Sequence, residues 1–239
     1  MNELLVDTSN EALSIAITKD KQLVSDYVAR GHRNHSIALM PMLTAMMEQA
    51  NLTPNDIDQF VIAKGPGSYT GLRIGMSTLK TMAYTLHRPL KLVSSLYLLA
   101  MNVPNGLVVP IMDARRQNVY AAVIDRCHDT YRLTDRHVAL SDLLELLSQW
   151  DEPLIFNGDA YRFKEQILER FPTATVIEDE YWNLPHAHYM SVMEGEVVRG
   201  EAIHQVAPSY LKQVEAEEKW RQTHEETEED RLSYVEKSR

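Results

Sequence analysis

A single cysteine, Cys127, stands in 239 residues. That excludes an internal disulfide and fits a reducing, cytoplasmic setting; a spare thiol is the simple reading of it. Basic residues are short too: 24 Lys and Arg face 34 Asp and Glu, a formal net charge of −10. Nucleic-acid proteins usually carry a basic face, so a chain this acidic is not expected to grip RNA by itself. No apolar stretch reaches the ~18 residues of a membrane span. The opening Met1-Asn2-Glu3-Leu4-Leu5 lacks the basic start and apolar run of a secretory signal. No H-E-x-x-H occurs, nor any G-x-S-x-G. His32 and His35 are three apart, and His186 and His188 two apart, a spacing that cannot share one helical face. These histidines therefore read as satisfied or exposed, and no metal or catalytic residue is expected.

What is present is an apolar fraction of 44%, enough for a packed core. Two blocks share one order of elements, strands first and then alternating helices and strands. The first places strands at 4–6, 13–18 and 23–28, a helix from Asn34 to Ala50, a strand at 60–63, a helix from Leu72 to Leu86, a strand at 90–93 and a helix capped by Ser94-Ser95. The second places strands at 107–112, 119–125 and 131–140, a helix capped by Ser141-Asp142, a strand at 154–156, a helix at 161–171 and a strand at 175–177. The expected fold class is α/β, with two similar lobes, each a mixed sheet flanked by helices. Expected domains are 1–104, 105–214 and an acidic tail, 215–239. That tail holds nine acidic and five basic side chains and reads as solvated.

The glycine-rich stretch Gly65-Pro66-Gly67-Ser68-Tyr69-Thr70-Gly71-Leu72-Arg73-Ile74-Gly75 joins a strand to a helix. A helix N-terminus there suits an anion. Yet Gly71 is followed by Leu72, which is not a Walker A ending, and G-x-G-x-x-x-G is not the dinucleotide spacing. A tight strand-to-helix turn is the competing reading. Asp7-Thr8-Ser9-Asn10 offers a second phosphate or Mg²⁺ candidate, or simply a side-chain-stabilised turn. Candidate phosphate contacts are thus Asp7, Ser9, Gly65, Gly67, Ser68, Thr70 and Gly71. The matching stretch of the second block, Asp113-Ala114-Arg115-Arg116-Gln117-Asn118, has no glycine to let a phosphate approach.

The helix from Asn34 to Ala50 is apolar on two sides, with Leu39, Leu43, Met46 and Met47 in one stripe and Met42 off it. Six of the eleven methionines fall between 40 and 82. Such a helix is sandwiched in its lobe, or its outer face meets another chain. The expected interface is Leu39, Met42, Leu43, Met46 and Met47, with Arg73, Met76 and Lys80 from the next helix.

The glycine-rich stretch closely resembles the hallmark of the TsaB (YeaZ) family. Shorter segments resemble it in the same order. They are Leu5-Val6-Asp7-Thr8-Ser9, His35-Ser36, Pro110-Ile111-Met112-Asp113-Ala114-Arg115-Arg116, Asn157-Gly158-Asp159 and Pro208-Ser209-Tyr210-Leu211. The resemblance implies the duplicated actin/Hsp70/sugar-kinase (ASKHA) fold, whose last helix can pack back on the first lobe. It implies a non-catalytic subunit for N6-threonylcarbamoyladenosine at position 37 of tRNA. The implied partners are a TsaD-type transferase, a TsaE-type ATPase and, when alone, a second copy; tRNA is met through the complex. No intrinsic cofactor is implied, with ATP or ADP at the partner interface. Two other readings share the fold. One is an ATP-dependent kinase or hydrolase with Asp7 on the metal and Gly65–Gly71 at a substrate; the other is a peptidase.

Overall fold

The computed structural model describes residues 1–31 and 35–212. His32 and the tail 215–239 lie outside the described residues. Strands β1 (Asn2–Asp7), β2 (Ala12–Lys19) and β3 (Gln22–Arg30) run antiparallel in sequence. Helix α1 (His35–Gln49) leads to β4 (Gln59–Ala63), α2 (Tyr69–Thr85), β5 (Leu90–Val93) and α3 (Ser95–Ala100). β1 pairs parallel with β4, and β4 with β5. The second block repeats the plan. β6 (Leu107–Asp113), β7 (Asn118–Asp125) and β8 (Thr130–Ala139) are antiparallel. After α4 (Leu140–Leu147) come β9 (Leu154–Gly158), α5 (Lys164–Arg170) and β10 (Thr175–Val176), with β9 parallel to both β6 and β10.

The sheet orders are β5-β4-β1-β2-β3, extended by one strand, and β10-β9-β6-β7-β8. Each strand of one sheet has a counterpart at the same place and polarity in the other. This is the duplicated ASKHA plan. Local chemistry accounts for the elements. β1, β2 and β4 are almost wholly buried and read as continuous apolar runs, as central strands should. β3 and β8 alternate or face solvent. α4 buries Leu140, Leu143, Leu144 and Leu147, the i, i+3, i+4, i+7 stripe. It starts before Ser141, which bonds Asp142 instead of capping the helix.

Past β10 the chain returns to the first lobe. A 3₁₀ turn at 187–191 lays Ala187 and Met190 on Leu5, Ala16 and Val61. β11 (Glu196–Val198) then pairs antiparallel with β5 as the extra edge strand. α6 (Ala202–Gln205) seats Ile203 in the core under α1 and α2. The expected boundary at 104/105 therefore follows chain order and not packing, because residues 187–206 complete the first lobe. An edge strand of three residues carries too short an apolar pattern to be read from sequence.

Candidate functional site

The glycine-rich loop lies against the turn between β1 and β2, and three of its amides are bonded within the chain. Gly65 N–H donates to Ser95 Oγ at 3.1 Å, Ser68 N–H to the Ser9 carbonyl at 2.6 Å, and Gly71 N–H to Ser68 Oγ at 3.3 Å. Thr8 Oγ1 donates to the Gly71 carbonyl at 2.8 Å. A Cβ added at Gly67 or Gly71 would sit far inside contact distance of the Ser9 or Thr8 carbonyl oxygen. A phosphate cradle turns N–H groups toward an open space. Here carbonyl oxygens fill that space, and the glycines let two backbones touch. The loop is also roofed on its far side. Ser209 N–H donates to the Lys64 carbonyl at 2.7 Å, and a Cβ on Gly65 would meet the Ser209 oxygen at 2.9 Å.

Asp7 is fully enclosed. Its Oδ1 accepts from Ser9 N–H at 2.8 Å, while Oδ2 and Ser9 Oγ have no hydrogen-bond partner. Burial pushes the Asp7 carboxyl up to about 6, against the pull of the Ser9 hydrogen bonds. Ser68 caps α2 and is exposed, as is Thr70. Opposite, Arg115, Arg116 and Gln117 all take left-handed backbone conformations (φ 71°, 54° and 58°). Asp113 Oδ1 accepts from Arg115 N–H, and Asn118 Nδ2 donates to the Arg116 carbonyl.

Helix α1 resolves the two-sided pattern. Leu39, Leu43, Met46 and Met47 are buried in the lobe core with Phe60 and Leu79, and Met76 joins them from α2. They are core residues here, and the expectation that they face a partner is corrected. Their stripe is the one β2 and β4 cover. Met42 is half-buried. The opposite face carries Ile37, 71% exposed, and Met40, 47% exposed, with exposed Pro41 next to Met40. Sequence reading missed Ile37 because it judged the stripe by total apolarity and not by which side the sheet would take. His35 Nε2 lies 2.9 Å from the Asn10 carbonyl, so the starts of α1 and α2 meet at one turn. On α2, Arg73 packs over Tyr69 at 4.1 Å and donates to Tyr210 Oη at 3.1 Å. Lys80 donates to the carbonyls of His204 (3.0 Å) and Val206 (2.6 Å), so it holds the returning segment.

Residues 22–220 match the family model described as TsaD: tRNA N6-adenosine threonylcarbamoyltransferase. A Bacillus subtilis protein named tRNA threonylcarbamoyladenosine biosynthesis protein TsaB is 35% identical over 225 residues, covering 92% of this chain and 98% of its own. The chain belongs to the TsaB family. The Escherichia coli TsaB is 32% identical over 130 residues, 53% of this chain and 56% of that one. The solved structure of YeaZ from Pseudomonas aeruginosa superposes with a TM-score of 0.70 at 25% identity, over 88% of this chain and 99% of its own. TsaB proteins are thus the relatives across nearly the whole length, and the fold is shared. Among the described residues no helix is long and apolar enough to cross a membrane. In this TsaB-family chain, three of the motif segments that carried the resemblance touch each other. Asp7–Asn10, Gly65–Gly71 and Ser209 form one packed junction.

Proposed function

We propose that this chain is a non-catalytic subunit of the cytoplasmic tRNA threonylcarbamoyladenosine machinery, binding and activating a TsaD-type transferase. The observation that carries this reading is the exposed apolar face of α1, Ile37 and Met40, beside the Tyr69–Arg73–Tyr210 stack at the same end of the lobe. Exposed Tyr and Arg next to aliphatic anchors are the residue types that dominate protein interfaces. Support comes also from the glycine-rich loop, where the Ser9 and Thr8 carbonyl oxygens press against Gly67 and Gly71. A TsaE-type ATPase and tRNA would be met through the assembly, and any ATP or ADP would lie where the partner completes a site. Alone, the same face would pair two copies about a two-fold axis.

The test is a binding titration of a TsaD-type subunit against the wild-type chain, Ile37→Glu and Met40→Glu. Each charge is expected to weaken binding at least tenfold while the melting temperature stays within ~2 °C, since both positions are solvent-facing. Undiminished binding by both folded variants would remove this face from the interface. Turnover of ATP or tRNA by the isolated chain would reject the non-catalytic role.

A further inference from the structure

The structure brings His186 and His188 together on Asp26 of β3. We propose that these three residues form a binding site for a divalent transition-metal ion of the zinc class. Their ligand atoms all lie within 4.8 Å of one another. His188 Nδ1 is 3.5 Å and His186 Nδ1 4.0 Å from Asp26 Oδ2. Both nitrogens are buried and have no hydrogen-bond partner. The His186 side chain is only 3% exposed, so its unpartnered nitrogen has no water to compensate it.

The protonation pattern suits a metal. His186 Nε2 lies 3.1 Å from the Tyr181 main-chain carbonyl. A carbonyl only accepts, so Nε2 carries the proton and Nδ1 presents its lone pair toward Asp26. That backbone partner on the far nitrogen is the usual support of a metal-binding histidine. Two imidazoles and one carboxylate are the ligand types of zinc and its first-row neighbours. An ion about 2.0–2.2 Å from each donor draws neighbouring ligands to roughly 3.3 Å apart in a tetrahedron. The His188 gap of 3.5 Å is near that, and the His186 gap of 4.0 Å is somewhat longer, so closing on an ion asks for side-chain rotation mainly at His186. Asp26 and His188 are about a quarter exposed, which leaves a fourth position open to water.

The scaffold holds the ligands from two sides. Asp26 sits on β3, opposite Ala16 of β2. Ala187 N–H, between the two histidines, donates to Ser14 Oγ of β2 at 2.8 Å. Arg30 of β3 pairs with Glu180 at 3.2 Å just before the histidine segment. His186 is extended (φ −114°, ψ 103°) and directly precedes the 3₁₀ turn that carries His188, and this bend brings both imidazoles to Asp26. A bound ion would pin the returning segment to the outer hairpin of the first lobe.

The experiment uses the full chain, stripped with a chelator and dialysed, then titrated with zinc chloride and, separately, cobalt chloride. Expected are one zinc per chain by elemental analysis, a melting temperature raised by ~5 °C with zinc in hundredfold excess over Kd, and the visible spectrum of nitrogen-ligated cobalt. His188→Ala and Asp26→Asn, both at partly exposed positions, are each expected to weaken zinc binding tenfold or more. His128→Ala, beside Cys127 and Asp125, is expected to bind as the wild type does. Absence of stoichiometric zinc in the wild type, or equal binding by folded His188→Ala and Asp26→Asn, overturns the site. Loss with His128→Ala alone would move the metal elsewhere and equally overturn it.

Discussion

At the scale of single residues, the junction of the glycine-rich loop and the first turn makes sharp demands. Gly71 has an ordinary helical place, so its need for glycine is one of space alone: the Thr8 carbonyl lies where a Cβ would go. Gly71→Ala is expected to cost about 3 kcal/mol or more, read as a lower urea midpoint at unchanged slope. Asp7 makes a pH prediction. Its carboxyl titrates near 6 in the folded chain, above the ordinary value of 3.8, because burial disfavours the charge. The favourable contribution of the protonated form is full below pH 3.8 and is lost as pH rises through 6, about 3 kcal/mol at most. Asp7→Asn keeps an oxygen for the Ser9 amide and carries no charge. It is expected to be more stable than wild type at pH 8, with the gap shrinking toward pH 4. Asp135 is also pushed up by burial, so the difference between the two proteins, not the wild-type curve, isolates Asp7.

At the scale of elements, α1 separates two roles that sequence alone merges. Leu43 is fully enclosed and Met40, on the other face, is half open to solvent. Leu43→Glu is expected to unfold the lobe, since a charge would be buried among Phe60, Leu39 and Leu79. Met40→Glu is expected to leave the circular-dichroism melt unchanged. A pair of melts therefore checks the assignment without any partner present. Most elements were legible beforehand because their signals are local: alternating or continuous apolar runs bounded by Asp, Asn, Gly and Pro. Ser94 caps its helix as expected; Ser68, expected only as a phosphate contact, also proves to be a cap, and each accepts from an amide three residues on. The face of α1 was not legible, because its four methionines and four alanines and leucines look alike until the sheet chooses a side. The grouping of His186 and His188 with Asp26 was not legible either, because it depends on a 3₁₀ turn meeting a strand far away in the chain.

At the scale of the whole molecule, the first lobe is not closed by its own block. β11 supplies its edge beside β5, while Ala187 and Met190 cover Leu5 and Val61, and Ile203 sits among the α1 and α2 core residues. Lys80 then holds the carbonyls of His204 and Val206, and Lys91, largely buried, donates to the Met190 carbonyl at 2.9 Å. Burying each large aliphatic side chain contributes roughly 2 kcal/mol. Losing several such contacts at once would exceed the stability margin of most domains of this size, about 5–15 kcal/mol. Residues 1–104 expressed alone are therefore expected to be insoluble or to melt without cooperativity, although their sequence looks like a complete α/β unit. Circularly rearranged chains that place residues 181–212 before residue 1 through a flexible linker are expected to restore a cooperative melt. A stable, cooperative fragment 1–104 would show that the returning segment decorates the lobe. Its failure, with rescue by the rearranged chain, would show that the first lobe is completed by residues that follow the second block in the chain.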